Sequence, residues 1–215
     1  SFSDGGRFLE PEAALDQARR MVRDGAALID VGGESTRPGA DPVPLDEELR
    51  RVLPVVRLLA RERVIVSIDT SKPEVMRAAI DAGARLVNAV QALQRPGALE
   101  AVARGGAAVC LMHMRGLPGT MQRDPSYGDV VTEVNAFLER RVQACLAGGI
   151  GAERICVDPG FGFGKTLEHN LQLLRALPRL RACGRPLLVG LSRKSMIGAL
   201  TGRAVDDRLA GGLEQ

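Results

Sequence analysis

Two aspartates that close short apolar runs are the first residues in this sequence with types and positions suited to chemistry. The segment Val66-Ser67-Ile68-Asp69-Thr70-Ser71-Lys72-Pro73 ends its run at Asp69, and Val157-Asp158-Pro159-Gly160-Phe161-Gly162-Phe163-Gly164-Lys165 ends its run at Asp158. A carboxylate at the end of a buried strand is costly unless it is paired or used. For Asp69 the plain alternative is a helix N-cap or a salt bridge to Lys72. The glycines after Asp158 let the chain fold sharply, and Phe161 and Phe163 offer flat walls on which a ring can stack. A third segment, Ile29-Asp30-Val31-Gly32-Gly33-Glu34-Ser35-Thr36-Arg37-Pro38-Gly39, puts Thr36 and Arg37 on a loop after a strand that also carries an acid. Arg37 suits a carboxylate or phosphate, or else a solvated turn. A fourth, Val189-Gly190-Leu191-Ser192-Arg193-Lys194-Ser195, sets two cations at the start of a helix and reads as a site for an anion or polar heterocycle. Asn88 is an amide in apolar company and needs partners. His113, between Met112 and Met114, reads as packed, and His169 as solvent-facing.

These residues need elements to hold them. Apolar runs at 26–31, 64–68, 85–90, 107–112, 154–157 and 186–191 alternate with helical periodicity at 12–22, 45–59, 73–82, 97–103, 127–146 and 168–180. Runs without polar alternation predict parallel strands covered by helices. An open doubly wound sheet and a closed barrel both satisfy that pattern. Polar residues follow nearly every run, which favours the barrel, whose site draws on all its strand ends; an open sheet gathers its site at one switch point. Six strands are counted where a barrel has eight.

Composition excludes several classes. Over 215 residues a net charge of +3, with no basic block, argues against nucleic acid, and no apolar run reaches membrane-spanning length. The four cysteines form no CxxC pair and read as free thiols in a reducing cytoplasm. The two histidines stand in no metal-binding spacing. GxSxG, the Walker loop and a strand-following GxGxxG are all missing, so triad hydrolysis and nucleotide-cofactor chemistry find no support.

Taken together SFSDGG (1–6), IDVGGESTRPGA (29–40), SIDTSKPEV (67–75), CLMHM (110–114), DPGFGFGK (158–165) and GLSRKSMIG (190–198) resemble the dihydropteroate synthases, over essentially the whole chain. The resemblance implies an α/β fold, a TIM (β/α)8 barrel in one pterin-binding domain over 1–215. Strands two to seven would be present, the first preceding Ser1 and the last following Gln215. It implies condensation of 6-hydroxymethyl-7,8-dihydropterin diphosphate with 4-aminobenzoate, releasing pyrophosphate, with sulfonamides competing for the aminobenzoate site. The polypeptide 1–215 by itself is expected to be inactive or weakly active. Carried over by motif, Asp69, Asn88, Met112, Asp158, Gly190 and Lys194 would hold the pterin. Phe2, Thr36, Arg37, Phe163 and Ser192 would serve aminobenzoate and diphosphate. Asp69, Asp4, Arg37 and Lys194 form the catalytic set, with Asp69 stabilising the cation that forms at the pterin's exocyclic carbon. Magnesium is implied as cofactor, its Asn ligand lying before Ser1, so no metal ligand is expected within the chain. A cytoplasmic homodimer is implied as well. One departure concerns position 89, where Ala89 replaces the family's usual Asp beside Asn88. A corrinoid-linked pterin methyltransferase and a degenerate pterin-binding protein are the other readings these segments leave open.

Overall fold

The computed structural model describes residues 11–36, 40–116, 119–180, 184–192 and 194–202. Phe2, Asp4 and Arg37 lie outside the described residues.

Helices α1 (Pro11–Arg23), α2 (Leu45–Arg61), α3 (Pro73–Asp81) and α4 (Ala98–Gly105) form where the apolar spacing predicts them. Asp46, Glu47 and Glu48 occupy the first turn of α2, where negative charge meets the helix dipole. Helix α5 (Val130–Ala147) begins three residues later than the periodicity predicts. The Asp129 side chain caps it there, accepting from the Val131 and Thr132 amides at 3.0 and 3.1 Å. The segment predicted as one helix over 168–180 is two, α6 (Leu167–Arg175) and α7 (Leu177–Leu180). Pro178 cannot donate to the carbonyl one turn back, and the helix breaks just before it. Helix α8 (Ser195–Thr201) is the last described.

Strands β1 (Ile29–Gly32), β2 (Val66–Asp69), β3 (Leu86–Ala89), β4 (Ala108–Met112) and β5 (Ile155–Asp158) form one parallel sheet in chain order. The sixth run corrects the count. Over 186–191 the chain lies alongside β5 through a single parallel bridge, Val157 to Leu187, with Val157 N to Pro186 O at 3.0 Å and Leu188 N to Val157 O at 2.9 Å. Pro186 supplies no amide of its own, and the ladder stops there.

Sequential strand order, with α1 on α2, α2 on α3 and α3 on α4, makes a single helical layer outside the sheet. A doubly wound sheet would reverse its order and divide its helices between two faces. Seven of the helix-facing side chains, Val66, Ile68, Val87, Val109, Leu111, Ile155 and Val157, are each at most 1 % exposed. Burying each such side chain contributes about 1.5–3 kcal/mol. Strand alternation then sends Asp30, Asp69, Asn88, Cys110, Met112, Cys156 and Asp158 to the opposite, inner face. Ala89 is on the helix-facing side and buried in the core, so the departure at this position removes no group from the face that bears Asn88.

Candidate active site

The inner-face register gathers the polar residues at the carboxyl ends of the strands. Asp69 pairs in register with Asn88, Asn88 with Cys110, and Met112 with Asp158. Asn88 Nδ2 donates to Asp30 Oδ2 at 3.0 Å, which draws β1 into the cluster.

The three carboxylates share an unfavourable setting. Burial raises Asp69 well above its ordinary range, and the neighbouring Asp30 carboxylate raises it further. Asp30 itself keeps a solvent-facing side, yet the protein packed around it also raises its carboxyl, with the Asn88 amide opposing. Asp69 Oδ1 is buried with no hydrogen-bond partner among the described residues. Neither bland role foreseen for Asp69 holds. Lys72 pairs instead with Glu34 and Glu48, and Thr70, not Asp69, accepts the Lys72 amide, at 3.2 Å. Buried Glu48 also accepts the Thr70 hydroxyl at 2.6 Å. This network anchors the root of the loop that carries buried Thr36. Arg51 Nη1 reinforces it by donating to Gly33 O at 3.0 Å.

Asp158 is 6 % exposed. Burial pushes it up to about 6; the Gly160 amide, donating to its Oδ1 at 2.7 Å, and the nearby lysines pull the other way. Lys194 enters from the start of α8 rather than lying on an open helix end, and burial lowers it to about 8 against the attraction of Asp158 and Asp69. Its ammonium sits 4.2 Å from the centre of the Phe163 ring. Phe163 packs with Val90, Met112 and Met121 into a small apolar cluster separate from the main core. A Cβ built on Gly190 would stand 4.0 Å from Asp158 Oδ2, so this backbone lines the same space. Phe161, expected as a second ring wall, is instead 1 % exposed in the main core. Ser192 is exposed on the loop before Lys194.

The Gly-Phe loop is held in place through its carbonyls. Lys165, 3 % exposed, donates to Gly160 O at 2.9 Å and Phe163 O at 3.0 Å, and faces His113 Nδ1 at 3.0 Å. Gln122 donates to Gly162 O and Tyr127 to Gly164 O. Gly160 and Gly164 have φ of +69° and +62°, and a Cβ on them would lie 1.9 Å from His113 O and 2.3 Å from Arg115 O. Only glycine fits either place. His113 is packed, as expected, edge-on against Phe137 at 5.0 Å. His169, expected to face solvent, is partly exposed and also completes the capping box of α6.

Sequence reasoning passed over two residues here. Asp30 is noted in the sequence only as an acid on its strand, with no role; the fold puts it in register with the inner-facing Ser67 and in a bond with Asn88. Lys165, in a glycine-rich loop, carried no sequence signal of burial.

The surroundings therefore offer acceptors to a flat donor-rich ring, a cation at one edge and an aromatic wall. Comparison with known proteins gives this arrangement a lineage. Residues 1–214 match the family model described as pterin binding enzyme. The dihydropteroate synthase of Escherichia coli K12 is 51% identical over 214 residues, spanning 99% of this chain and 76% of that protein. The crystal structure of Yersinia pestis dihydropteroate synthase with a sulfonamide drug superposes with a TM-score of 0.95 at 51% identity, covering 98% of this chain and 77% of that one. The Xanthomonas albilineans enzyme in complex with 7,8-dihydropteroate gives 0.86 at 48% identity, with 99% and 76% covered. The chain spans about three quarters of these relatives, and it belongs to the pterin-binding enzyme family, among the dihydropteroate synthases, with its five parallel strands forming part of that family's (β/α) barrel.

Proposed function

We propose that the protein condenses 6-hydroxymethyl-7,8-dihydropterin diphosphate with 4-aminobenzoate, giving dihydropteroate and pyrophosphate. The observation that carries this reading is the buried Asp69 carboxylate, one oxygen of which has no hydrogen-bond partner among the described residues, facing the same space as Asn88, Asp158 and Lys194. An orphaned buried acceptor costs about 1–3 kcal/mol, and a ligand bearing N–H donors removes that cost.

In the proposed complex Asp158 accepts from the amino and ring N–H groups of the pterin's guanidine-like edge, and Asn88 and Asp69 meet the opposite edge. Lys194 donates to the oxo side while Phe163 and Ser192 flank aminobenzoate. As diphosphate departs, positive charge spreads from the exocyclic carbon into the ring. Asp69 and Asp30 stand where fixed negative charge favours that cation. The arylamine is already nucleophilic; its lone pair closes the new C–N bond, and the acidic anilinium so formed gives its proton to water or to the departing pyrophosphate without a dedicated base. Thr36 and Arg37 are proposed to meet the diphosphate, and Phe2 and Asp4 to complete the site. Magnesium belongs to the proposal as counter-ion of the diphosphate. The described residues contain no group of three or more His, Cys, Asp or Glu able to hold a metal, and no step above is routed through it. No described helix is long and apolar enough to cross a membrane. Work in the cytoplasm as a homodimer is proposed on family grounds.

The test is dihydropteroate formation from the two substrates by the intact gene product, with Asp69→Asn as comparison. The unsubstituted protein is expected to form product, and the variant to lose roughly 10²–10³-fold in kcat/KM. A gene product that binds pterin but forms no dihydropteroate, or an Asp69→Asn variant at full activity, would overturn the reading.

A further inference from the structure

Lys165 is a buried cation that the proposed chemistry does not use, and its surroundings are unusually specific. Its ammonium has four acceptors: Gly160 O at 2.9 Å, Phe163 O and His113 Nδ1 at 3.0 Å, and His113 O at 3.4 Å. Two acceptors belong to the loop after β5 and two to the residue that follows β4, so one side chain ties neighbouring strand ends together. A neutral amine has two donors and a lone pair that would point at one of these acceptors; an ammonium has three donors and no lone pair. Burial pushes Lys165 down to about 7, with Asp158 opposing, and the three carbonyls favour the protonated form. His113 must then accept at Nδ1 and carry its proton on Nε2. Burial, with Lys165 and Arg115 nearby, lowers the ring to about 3, so it stays neutral.

The consequence reaches the site through the backbone. Gly160 donates to Asp158 Oδ1, and Phe163 places its ring against the Lys194 ammonium. The carbonyls of these same two residues are the ones Lys165 holds. We propose that Lys165 is a positioning residue: its ammonium sets the 160–163 loop against His113 and so fixes Phe163, and with it the aminobenzoate-side wall of the site. Gln122 and Tyr127 hold the carbonyls of Gly162 and Gly164, but neither links the loop to β4. The proposal rests on the reading of the site as a dihydropteroate synthase centre.

The experiment is steady-state kinetics on the intact gene product with Lys165→Met and Lys165→Gln. Methionine fills the space without charge, and glutamine, one bond shorter, cannot span to His113. Both are expected to raise KM for 4-aminobenzoate, and the dissociation constant of a sulfonamide, about tenfold or more, with kcat within about threefold. Leu138→Ala, in the buried face of α5, is the control for plain destabilisation; its KM should stay at the parent value. Parent-like KM in either folded Lys165 variant overturns the proposal, as does an equal KM rise in the Leu138 control. A parent that forms no product sinks the functional reading instead, so the two failures are distinguishable. Should neither variant fold, ¹⁵N resonances of the unsubstituted protein decide. His113 Nδ1 is expected as an unprotonated acceptor that does not titrate between roughly pH 5 and 8, and a protonated Nδ1 or a titration in that range would overturn the assignment.

Discussion

Replacing Asp158 with asparagine should stabilise the free protein while crippling pterin binding, and the size of the first effect follows from the burial of this carboxyl. Folding moves Asp158 from an ordinary value near 4 to about 6. At 1.36 kcal/mol for each pH unit, the ionised carboxylate costs the folded state about 3 kcal/mol. The sign is that of an acid raised on folding. Below about pH 4 both states are protonated and the cost vanishes; it grows as pH rises through 6 and is complete above it. About 2 kcal/mol of it develops between pH 4.5 and 7. Asparagine can still accept the Gly160 amide through its own Oδ1, so the turn that Asp158 now supports at 2.7 Å keeps its bond. Urea unfolding of parent and Asp158→Asn at the two pH values gives a double difference in which the other carboxyls cancel. The variant is expected to gain about 2 kcal/mol relative to the parent on going from pH 4.5 to 7. Its affinity for a pterin should fall by roughly 10–100-fold, since hydrogen bonds to a charged acceptor contribute about 1.5–3 kcal/mol. A variant less stable than the parent at pH 7, or a difference that ignores pH, would mean that the carboxylate braces the Gly160 turn rather than awaiting a ligand.

Two further predictions concern the frame around the site. Gly160→Ala puts a Cβ 1.9 Å from His113 O at a φ of +69°, and is expected to cost about 3 kcal/mol or more, or to prevent folding, as read by thermal melting. Arg141 donates to Ala92 O at 2.8 Å and Leu93 O at 3.1 Å, bracing two buried non-glycine residues with φ of +48° and +54° in the turn after the strand that carries Asn88. Arg141→Met orphans both carbonyls and should lower stability by about 2–4 kcal/mol, visible as a lower urea midpoint; an unchanged midpoint would show that this turn needs no brace.

What could be read from the sequence was whatever depends on period and on chain neighbours. Apolar runs located β1 to β5 because a strand covered by helices must be apolar on its helix-facing side, and Asp69 and Asp158 stood out as charges at the ends of such runs. Contacts between distant segments were not legible in the same way. Lys72 follows Asp69 by three residues, and chain proximity made them an obvious pair. In the fold Lys72 turns away to Glu34 and Glu48, and only three dimensions show that one Asp69 oxygen has no partner among the described residues. Phe161 and Phe163 looked equivalent in a Gly-Phe repeat, yet one faces the main core and the other the Lys194 ammonium. Their spacing of two does not settle this, because a loop of left-handed glycines has no fixed period. Lys165 was hidden for the same reason: a lysine after three glycines reads as solvated, and its burial comes from carbonyls that converge only once the loop has closed.

The balance of charge explains why such a site can exist in a protein that must also fold. Three carboxylates raised by burial face one ammonium lowered by it, and a core designed for stability alone would contain neither. The two kinds of group limit each other's cost: Lys194 pulls Asp158 back down, and Asp158 and Asp69 pull Lys194 back up. The remaining imbalance is the Asp69 oxygen that has no partner among the described residues and the like charge of Asp30 beside it. In the proposed reaction a heterocycle that brings N–H donors to these acids, and that becomes cationic as it reacts, relieves both. Hydrogen bonds to the ring form on binding, so only the attraction between these acids and the developing cation is reserved for the transition state.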